Sequence, residues 1–390
     1  MSDDVMTTAQ EAAAPRRRRV SAKALPQHNR VHNRALILQA LFHQGAMSRA
    51  DLARQSGLTR PTVSVLVGEL EADGIVSEIG QREDTRVGKP ATLVEINRDA
   101  FHMIVLDLSS ADRFVGAVVD LRGEIVERAE IEIDGAVRED AIARAIRLGE
   151  RLSALTTRRI LGIGVGSPGI VDDQGVVREA LHLEWFDLAL QERLGKHFQV
   201  PVRVANDANV AALGVHTFRD VPGLSLMVIT IEHGVGVGLI IGGSLVEGEQ
   251  FSAGEIGHVT VDTDSDGETG DLCTCGRRGC LEVVIGARYL SDRIEGLAES
   301  ERDAALRSAG RALGVVTAPV ISALNLNEVV LSGPSELLDG PFAEAALATV
   351  RARTLSVVGR GLSLRTTRGD TDLVFLGGAS LVLRAELGVS

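Results

Sequence analysis

The chain has 390 residues, about 2.6 times a typical ~150-residue domain, so two or three folded units with a large core are expected. Hydrophobic residues make up 45% of it and charged residues 24%, a balance that excludes a disordered or fibrous protein. Apolar stretches such as 224–231 are too short to cross a bilayer, and no apolar segment follows Arg16–Arg19 as it would in a signal peptide. We therefore expect a cytoplasmic protein without a membrane span.

The net charge of −12 is distributed unevenly along the chain. Residues 15–98 carry 14 Lys and Arg against 8 Asp and Glu, a net charge of +6, whereas residues 101–390 carry 27 against 41. A basic front on an acidic body is typical of a small nucleic-acid-binding domain attached to a domain with another task. A solvated basic tail would produce the same asymmetry, so charge alone does not decide between the two.

The N-terminal quarter predicts a tail followed by a small helical domain. Residues 1–27 lack apolar periodicity, which predicts a disordered basic tail. Residues 28–97 show the order helix, helix, turn, helix, hairpin, in which Ser48 is placed to cap the second helix and Thr59 the third. Along the third helix runs an apolar stripe of Val63, Leu66, Val67 and Leu70. The pattern predicts a winged helix-turn-helix, although any three-helix bundle shows similar stripes.

This domain contains two groups of candidate DNA contacts. In a helix-turn-helix the third helix lies in the major groove, where its N-terminal side chains contact bases. The predicted base contacts are Arg60, Thr62 and Ser64. The loop of the hairpin is basic and predicts a wing against the phosphates, with contacts from Arg82, Arg86 and Lys89.

The remaining residues, 98–390, alternate strands with helices, which predicts an α/β fold. The first predicted elements are a hairpin of strands 103–108 and 114–120, a strand over 125–133, a helix over 140–155 and a strand over 160–165. A later strand, 202–205, ends at Asn206 and precedes a helix. A second block with a similar opening begins at Leu226.

Three motifs in this body resemble those of the ROK family (repressor, open reading frame, kinase), specifically its transcriptional-regulator branch. They are Gly-Glu-Ile-Gly-His at 254–258, Cys-Thr-Cys-Gly-Arg-Arg-Gly-Cys-Leu-Glu at 273–282 and Asn-Asp-Ala-Asn at 206–209. The resemblance extends from about residue 30 to the C-terminus and implies an actin-like, sugar-kinase-type body with an RNase H-like core. The lobes implied are 98–220 with 366–390, and 221–365, separated by a cleft.

The cysteines predict a metal site. All three fall within eight positions, Cys273, Cys275 and Cys280, interleaved with glycines, and disulfides are disfavoured inside cells. Three thiolates leave one position of a tetrahedron open, and the ROK resemblance implies His258 as the fourth ligand of a structural zinc ion. Three reduced core thiols remain the alternative interpretation.

The resemblance also implies a sugar pocket. Its members would be Gly169, Asn206, Asp207, Glu255, His258 and Glu282. Carboxylates and Asn side chains suit this role because each can bond two neighbouring hydroxyls. Asn206 and Asp207 are equally suited to capping the helix that follows, and His258 to a place in the core.

Both phosphate loops depart from the kinase pattern. ROK kinases carry Asp-x-Gly-Gly-Thr in the first loop, whereas residues 107–111 read Asp-Leu-Ser-Ser-Ala. The second loop, 232–238, reads Glu-His-Gly-Val-Gly-Val-Gly instead of Gly-Thr-Gly-Val-Gly-Gly-Gly. The carboxylate of Glu232 would repel a triphosphate, and Val237 fills space that a glycine leaves open. We therefore predict no kinase activity, although Asp207 stands where the kinases keep their catalytic base.

These observations favour a DNA-binding regulator, most often a repressor in this family, that binds operator DNA and a sugar or sugar-phosphate effector. Family likeness implies a dimer or a tetramer. Two alternatives stay open: a sugar kinase with an added DNA-binding domain, and a regulator whose body senses a partner protein.

Overall fold

The structure is a computed structural model, and it describes residues 26–81, 91–219, 223–232, 234–261, 270–368 and 372–389. In these ranges no helix combines the length and the apolar character needed to cross a membrane. The expected basic tail lies outside these ranges except for its last two residues. The predicted phosphate contacts Arg82, Arg86 and Lys89 also lie outside them.

The N-terminal domain, called the head below, has the predicted order of elements. They are α1 (Pro26–Gln44), β1 (Met47–Ser48), α2 (Arg49–Ser56), α3 (Arg60–Ala72), β2 (Val76–Gln81) and β3 (Thr92–Ile96). The strands β2 and β3 form the predicted antiparallel hairpin. The short strand β1 was not predicted and adds a third strand beside β3.

The predicted helix caps are confirmed. The Ser48 hydroxyl accepts a hydrogen bond from the Asp51 amide, and the Thr59 hydroxyl accepts one from the Thr62 amide. Each bond satisfies an amide that the first turn of a helix leaves without a partner. The predicted apolar stripe of α3 is buried throughout, which directs the opposite face of the helix to solvent.

The first half of the body is a five-stranded mixed sheet with strand order β11-β7-β4-β5-β6. A second, three-stranded sheet has the order β10-β9-β8. The elements are β4 (Phe101–Asp107), β5 (Arg113–Asp120), β6 (Ile125–Glu132), α4 (Arg138–Ala154), β7 (Arg159–Ser167), β8 (Ile170–Val171), β9 (Val177–Ala180), β10 (Trp185–Leu188), α5 (Leu190–Phe198), β11 (Val202–Asn206) and α6 (Asp207–Phe218). The predicted hairpin, third strand, helix and following strands are all present.

The second half contains another five-stranded sheet, with strand order β14-β13-β12-β15-β16. Its elements are β12 (Leu226–Ile231), β13 (Val235–Ile241), β14 (Ser244–Leu245), α7 (Leu281–Ile285), α8 (Ala287–Ile294), α9 (Glu299–Leu324), β15 (Glu328–Gly333), α10 (Ser335–Leu338), α11 (Pro341–Arg353), α12 (Ser356–Gly361), β16 (Ser363–Arg368) and α13 (Asp372–Leu387). The opening β12–β13 hairpin repeats that of β4–β5.

The helices α6 and α13 pack against each other and join the two large sheets. The helix α13 lies on β4 and β7 of the first sheet, and α6 lies on β12 and β13 of the second. The hydroxyls of Thr217 and Ser380 are 2.8 Å apart in the buried contact between the two helices. The C-terminal helix α13 therefore packs on the sheet of the first half of the body.

The head shares its hydrophobic core with the body. Ile37 and Leu41 of α1 belong to the same buried cluster as Phe375 and Leu383 of α13. A side-chain carbon on Gly388, just beyond α13, would lie 2.5 Å from Cβ of Ala35. The head is thus seated directly on the body, which local sequence patterns did not predict.

Candidate functional site

Four predicted metal ligands converge in the second half of the body. The ligand atoms of His258, Cys273, Cys275 and Cys280 all lie within 4.8 Å of one another. The His258 Nδ1 is 3.5 Å from the Cys273 sulfur, and the sulfurs of Cys275 and Cys280 are 3.7 Å apart. This group can hold a metal ion.

Backbone hydrogen bonds bring the histidine to the cysteines. His258 ends a short 3₁₀ helix, and the chain after it pairs with the end of the cysteine loop. The Val261 amide donates to the Gly279 carbonyl, and the Leu281 amide donates to the Val259 carbonyl, each at 2.8 Å. The ligands are therefore assembled by backbone contacts within the protein.

The thiol of Cys275 has an electrostatic environment that suits a metal ligand. Burial raises its pKa, but hydrogen bonds from the Arg277 amide and side chain outweigh burial and lower the pKa to about 6. A thiolate is the form that binds a metal ion.

Glu282 links the cysteine loop to the turn between β12 and β13. Its side chain is buried, and Oε1 accepts hydrogen bonds from the Thr274 hydroxyl and the Cys273 thiol at 3.3 and 3.4 Å. The other oxygen accepts a bond from the Val235 amide at 3.3 Å. Of the predicted sugar ligands, Glu282 thus has its carboxylate already occupied by protein donors. Thr274 was not singled out from sequence.

Glu255 and His258 lie beside each other at the edge of the metal group. The Glu255 carboxylate is 3.8 Å from His258 Nε2, and the side chain of Glu255 is 43% exposed. Burial of the carboxyl and the negative charge of Glu282 raise the pKa of Glu255, while His258 opposes the shift. His258 therefore presents one ring nitrogen to the cysteines and the other toward Glu255.

Asn206 and Gly169 contact each other at the start of α6. The Asn206 side chain donates to the Gly169 carbonyl at 2.9 Å and to the Asp207 carboxylate at 3.0 Å. Its oxygen accepts a bond from the Asn209 amide, so Asn206 also caps α6, the alternative role considered from sequence. Gly169 has φ +78°, and a side chain there would collide with the Glu179 carbonyl.

Three carboxylates cluster at the N-terminus of α6. Burial, then the negative charge of Asp107, then that of Glu232 raise the pKa of Asp207 from 3.8 to about 7. Asp107 is buried at the end of β4, and its carboxylate accepts bonds from the Ser109 amide and hydroxyl at 3.0 and 2.6 Å. This Asp-x-Ser pattern is the local signal for an Asx turn that sequence analysis did not use. Burial raises the pKa of Asp107, and the Ser109 bonds oppose that shift. The kinases share this aspartate, so the departure from their pattern lies in Ser109 and Ser110, which stand where they carry glycines.

Close packing explains the glycines of the second loop. A side-chain carbon on Gly236 would lie 2.7 Å from Cβ of Ala208, and one on Gly238 would lie 2.6 Å from Cβ of Ala212. A carbon on Gly234 would lie 2.9 Å from the Glu282 carboxylate, while Val237 is buried in the core. Close packing within the protein therefore accounts for these glycines.

The predicted base contacts differ in their exposure. Arg60 and Ser64 are exposed on α3. Thr62 is half-buried, and its hydroxyl lies 2.8 Å from that of Thr59 within the cap. Arg60 and Ser64 are therefore more accessible to DNA than Thr62.

The fold and this site define a class of proteins in which a winged helix-turn-helix is joined to a sugar-kinase-like body. The sequence profile of the ROK family matches residues 109–353, and a winged helix-turn-helix DNA-binding profile matches residues 32–77. The chain belongs to the ROK family.

Its relatives include both repressors and kinases. The xylose repressor of Caldicellulosiruptor bescii is 32% identical over 272 residues, which cover 68% of this chain and 66% of the repressor. The chain thus matches about two thirds of the length of the curated xylose repressors. The glucokinase of Halalkalibacterium halodurans is 31% identical over 309 residues, which cover 69% of this chain and 92% of the kinase.

A solved structure matches the head and body together. It is a ROK family transcriptional regulator, a homolog of the E. coli MLC protein, with a TM-score of 0.78 and 24% identity. The match covers 93% of this chain and 98% of that one. The fold predicted from sequence, an N-terminal winged helix-turn-helix followed by a ROK body, is confirmed.

Proposed function

We propose that the protein is a DNA-binding transcriptional regulator, a repressor of carbohydrate-metabolism genes, that responds to a sugar or sugar phosphate in the cleft of its body. The observation that carries the proposal is the combination of a winged helix-turn-helix with a ROK body whose first phosphate loop lacks the kinase glycines and whose second carries Glu232. The repressors among its relatives support the same function.

The altered phosphate loops favour a regulator over a kinase. A kinase holds the phosphates of ATP with free backbone amides and metal ions, and these neutralise the developing charge. Here the carboxylate of Asp107 is bonded by Ser109, and Glu232 lies close enough to Asp207 to raise its pKa. Glu232, which replaces a glycine of the kinase pattern, would repel added phosphate charge. The protein that we propose is therefore a regulator and not an enzyme. The alternative, a sugar kinase with a DNA-binding domain, is supported by the relative that is a glucokinase.

Zinc is the proposed metal. Tetrahedral coordination with Zn–S distances of ~2.3 Å and Zn–N distances of ~2.1 Å requires neighbouring ligand atoms about 3.6–3.8 Å apart. The separations of 3.5 and 3.7 Å within the group come close to these values. With four protein ligands, His258, Cys273, Cys275 and Cys280, the ion would be structural and would hold Glu255 and Glu282 at the cleft.

The proposed effector site consists of Gly169, Asn206, Asp207, Glu255, His258 and Glu282. The carboxylates of Glu255 and Asp207 would bond sugar hydroxyls. Glu282 and Asn206 are already bonded within the protein, so they would act by fixing the metal loop and the start of α6. In the cytoplasm, a dimer or tetramer would bind an operator with half-sites about one helical turn apart. Effector binding changes operator affinity only if the effector prefers one arrangement of the protein.

Two experiments test this function together. A thermal-shift screen with D-xylose, D-glucose, N-acetylglucosamine and their 6- or 5-phosphates is repeated with DNA selected from a random duplex library. A coupled assay with ATP measures turnover on the same sugars. Sequence-selective DNA binding that changes with one of the sugars supports the proposal. Turnover of ~1 per second, the low end for kinases, would instead establish the kinase alternative. Selective DNA binding with no sugar response would favour a partner protein as the signal.

A further inference from the structure

The outward face of α3 contains two residues that the fold of the head does not require. The exposed residues of this helix recur at intervals of one helical turn and form one continuous face, made of Arg60, Pro61, Ser64, Val65, Gly68 and Ala72. The buried stripe lies on the opposite side. On this face, the folding of the head does not explain why residue 65 is a valine or why residue 68 is a glycine.

Val65 is not part of the hydrophobic core formed by the described residues. Its side chain is 60% exposed, and it is absent from the core cluster that contains the neighbouring Val63, Leu66 and Val67. A β-branched residue at an exposed helical position is less favourable than Ala or a straight-chain residue. Folding therefore does not account for valine at this position.

Gly68 is equally unexplained by the head. It lies in the interior of α3, its φ is not positive, and a side-chain carbon added there would have no atom of the described chain within 4 Å. Glycine in a helix interior is less favourable than alanine. A glycine that the chain itself does not need leaves space for a close approach from outside.

The charges on and around this face are compatible with binding to a polyanion such as DNA. Acidic side chains on or beside α3 are each held by an arginine: Glu69 by Arg30, Asp73 by Arg34, and Glu71 by Arg49. The exposed face itself carries Arg60 and no acid. Nothing on it would repel DNA.

We propose that Val65 contacts the C5-methyl group of a thymine in the major groove and that Gly68 provides the clearance that lets α3 lie deep enough for this contact. The thymine methyl is the apolar group that the major groove presents, and a branched aliphatic side chain is suited to it. This inference rests on the proposed DNA-binding function and assigns a specificity-determining residue to it.

The methyl contact is tested with the full chain and a duplex selected from a random library. Each thymine is replaced in turn by deoxyuridine, which removes only the C5-methyl group, and affinity is measured by fluorescence anisotropy. At one thymine, deoxyuridine should weaken binding about fourfold, the effect expected for one buried methyl-sized group. Val65→Ala should weaken binding to the thymine duplex by a similar factor and lose nothing further with deoxyuridine. Val315→Ala, an exposed valine on α9, serves as the control.

The clearance is tested by Gly68→Ala, for which stability and DNA affinity should change in opposite directions. The variant should have a higher thermal midpoint, because alanine favours the helix, and a severalfold weaker affinity for the selected duplex. Gly195→Ala is the matched control, since Gly195 lies within α5 with only an ordinary contact at 4.0 Å. That variant should become more stable and bind DNA normally.

The outcomes separate this inference from the proposed function. If no duplex is selected, the DNA-binding function itself fails. If a duplex is selected but every deoxyuridine acts independently of Val65, the methyl contact is wrong while the function stands. Unchanged affinity of Gly68→Ala, or a lower thermal midpoint, would overturn the clearance role.

Discussion

The ring of Phe218, the last residue of α6, packs edge-on against the ring of Phe42 in α1, with centroids 5.6 Å apart and planes at 72°. Asp207 begins the same helix, in the carboxylate cluster that it forms with Asp107 and Glu232. Gly123 makes room for the contact, because a side-chain carbon there would lie 2.6 Å from the Phe218 ring. One helix of 12 residues, ~18 Å long, therefore extends from the candidate sugar site to the head.

The aromatic pair should contribute measurably to the seating of the head. Phe218→Ala is expected to lower the free energy of unfolding by about 1–3 kcal/mol, less than for a fully buried ring. A double-mutant cycle with Phe42→Leu should give a coupling of about 0.5–1.5 kcal/mol, measured by urea denaturation. Phe186→Ala, at a ring that is 59% exposed, is the control and should change stability little. Additive effects of the two changes would show that the rings do not stabilise each other.

Removal of the metal should destabilise the second half of the body. Protein purified without added metal is expected to contain one zinc ion per chain by elemental analysis, and Cys275→Ser should lose it. Because a structural metal contributes to folding, a chelator should lower the thermal midpoint of the parent and leave that of Cys275→Ser unchanged. His182→Ala, at an exposed histidine away from the cluster, should keep its zinc. Occupancy below one half in the parent would contradict the assignment.

Stability should depend on the ionisation of Asp207. Its pKa is raised from 3.8 to about 7 in the folded state, so the folded protein resists losing a proton that the unfolded chain loses near pH 4. The stabilisation is complete below pH 4 and is lost as the pH rises to about 7. The substituted side chain of the Asp207→Asn variant does not titrate. Between pH 5.5 and 8 the free energy of unfolding of this variant should therefore exceed that of the parent by about 1–2 kcal/mol, a figure reduced because Asp207 is only partly buried.

The measurement for Asp207 is urea denaturation of both proteins across this pH range. Asp173→Asn, at an exposed carboxylate, should follow the parent at every pH. Metal-binding groups are common to all three proteins, so their titration cancels in the comparison. Parallel curves for the parent and Asp207→Asn would show that Asp207 is not the group responsible.

Discrimination between operator and random DNA should depend on Arg60. Arginine reads guanine by paired hydrogen bonds worth about 1–3 kcal/mol, whereas phosphate contacts carry no sequence information. Arg60→Ala should weaken binding to a selected duplex more than to random DNA, and it should leave the salt dependence nearly unchanged. Arg311→Ala, at an exposed arginine on α9, is the control. Equal weakening for both DNAs would place Arg60 on the phosphates.

Local patterns in the sequence predicted most of the elements. Ser48 and Thr59 cap the helices as predicted because a cap depends on residues within three positions of each other. The metal ligands also follow a short-range pattern for the cysteines, while His258 was added through family resemblance. These features need few long-range contacts to be recognised.

The remaining features depend on contacts between distant segments. The shared core of head and body joins Ile37 to Phe375, and no periodicity within either helix predicts that partner. The bonds of Glu282 to Val235 and Thr274 likewise depend on how three segments meet. For this reason, the family resemblance implied Glu282 as a sugar ligand, and no pattern in the sequence indicated that protein donors occupy its carboxylate.

Asp207 and Glu255 should be required for the response to a sugar rather than for DNA binding itself. They lie on different elements, Asp207 at the start of α6 and Glu255 in the 3₁₀ helix before the metal loop. A sugar bonded to both would favour one arrangement of the cleft, and a ligand shifts an equilibrium only through such a preference. Asp207→Ala and Glu255→Ala should bind operator DNA normally without sugar and should lose a coupling of about 1–3 kcal/mol.

The measurement for these two variants is operator affinity with and without a saturating sugar identified in the thermal-shift screen. Glu249→Ala, at an exposed carboxylate, should respond like the parent and control for loss of surface charge. Sugar affinity is also measured directly by calorimetry. If Asp207 and Glu255 contact the sugar in the parent, both variants should bind it more weakly than the parent does. If both variants respond like the parent, the cleft is not the sensor, and a partner protein becomes the better candidate for the signal.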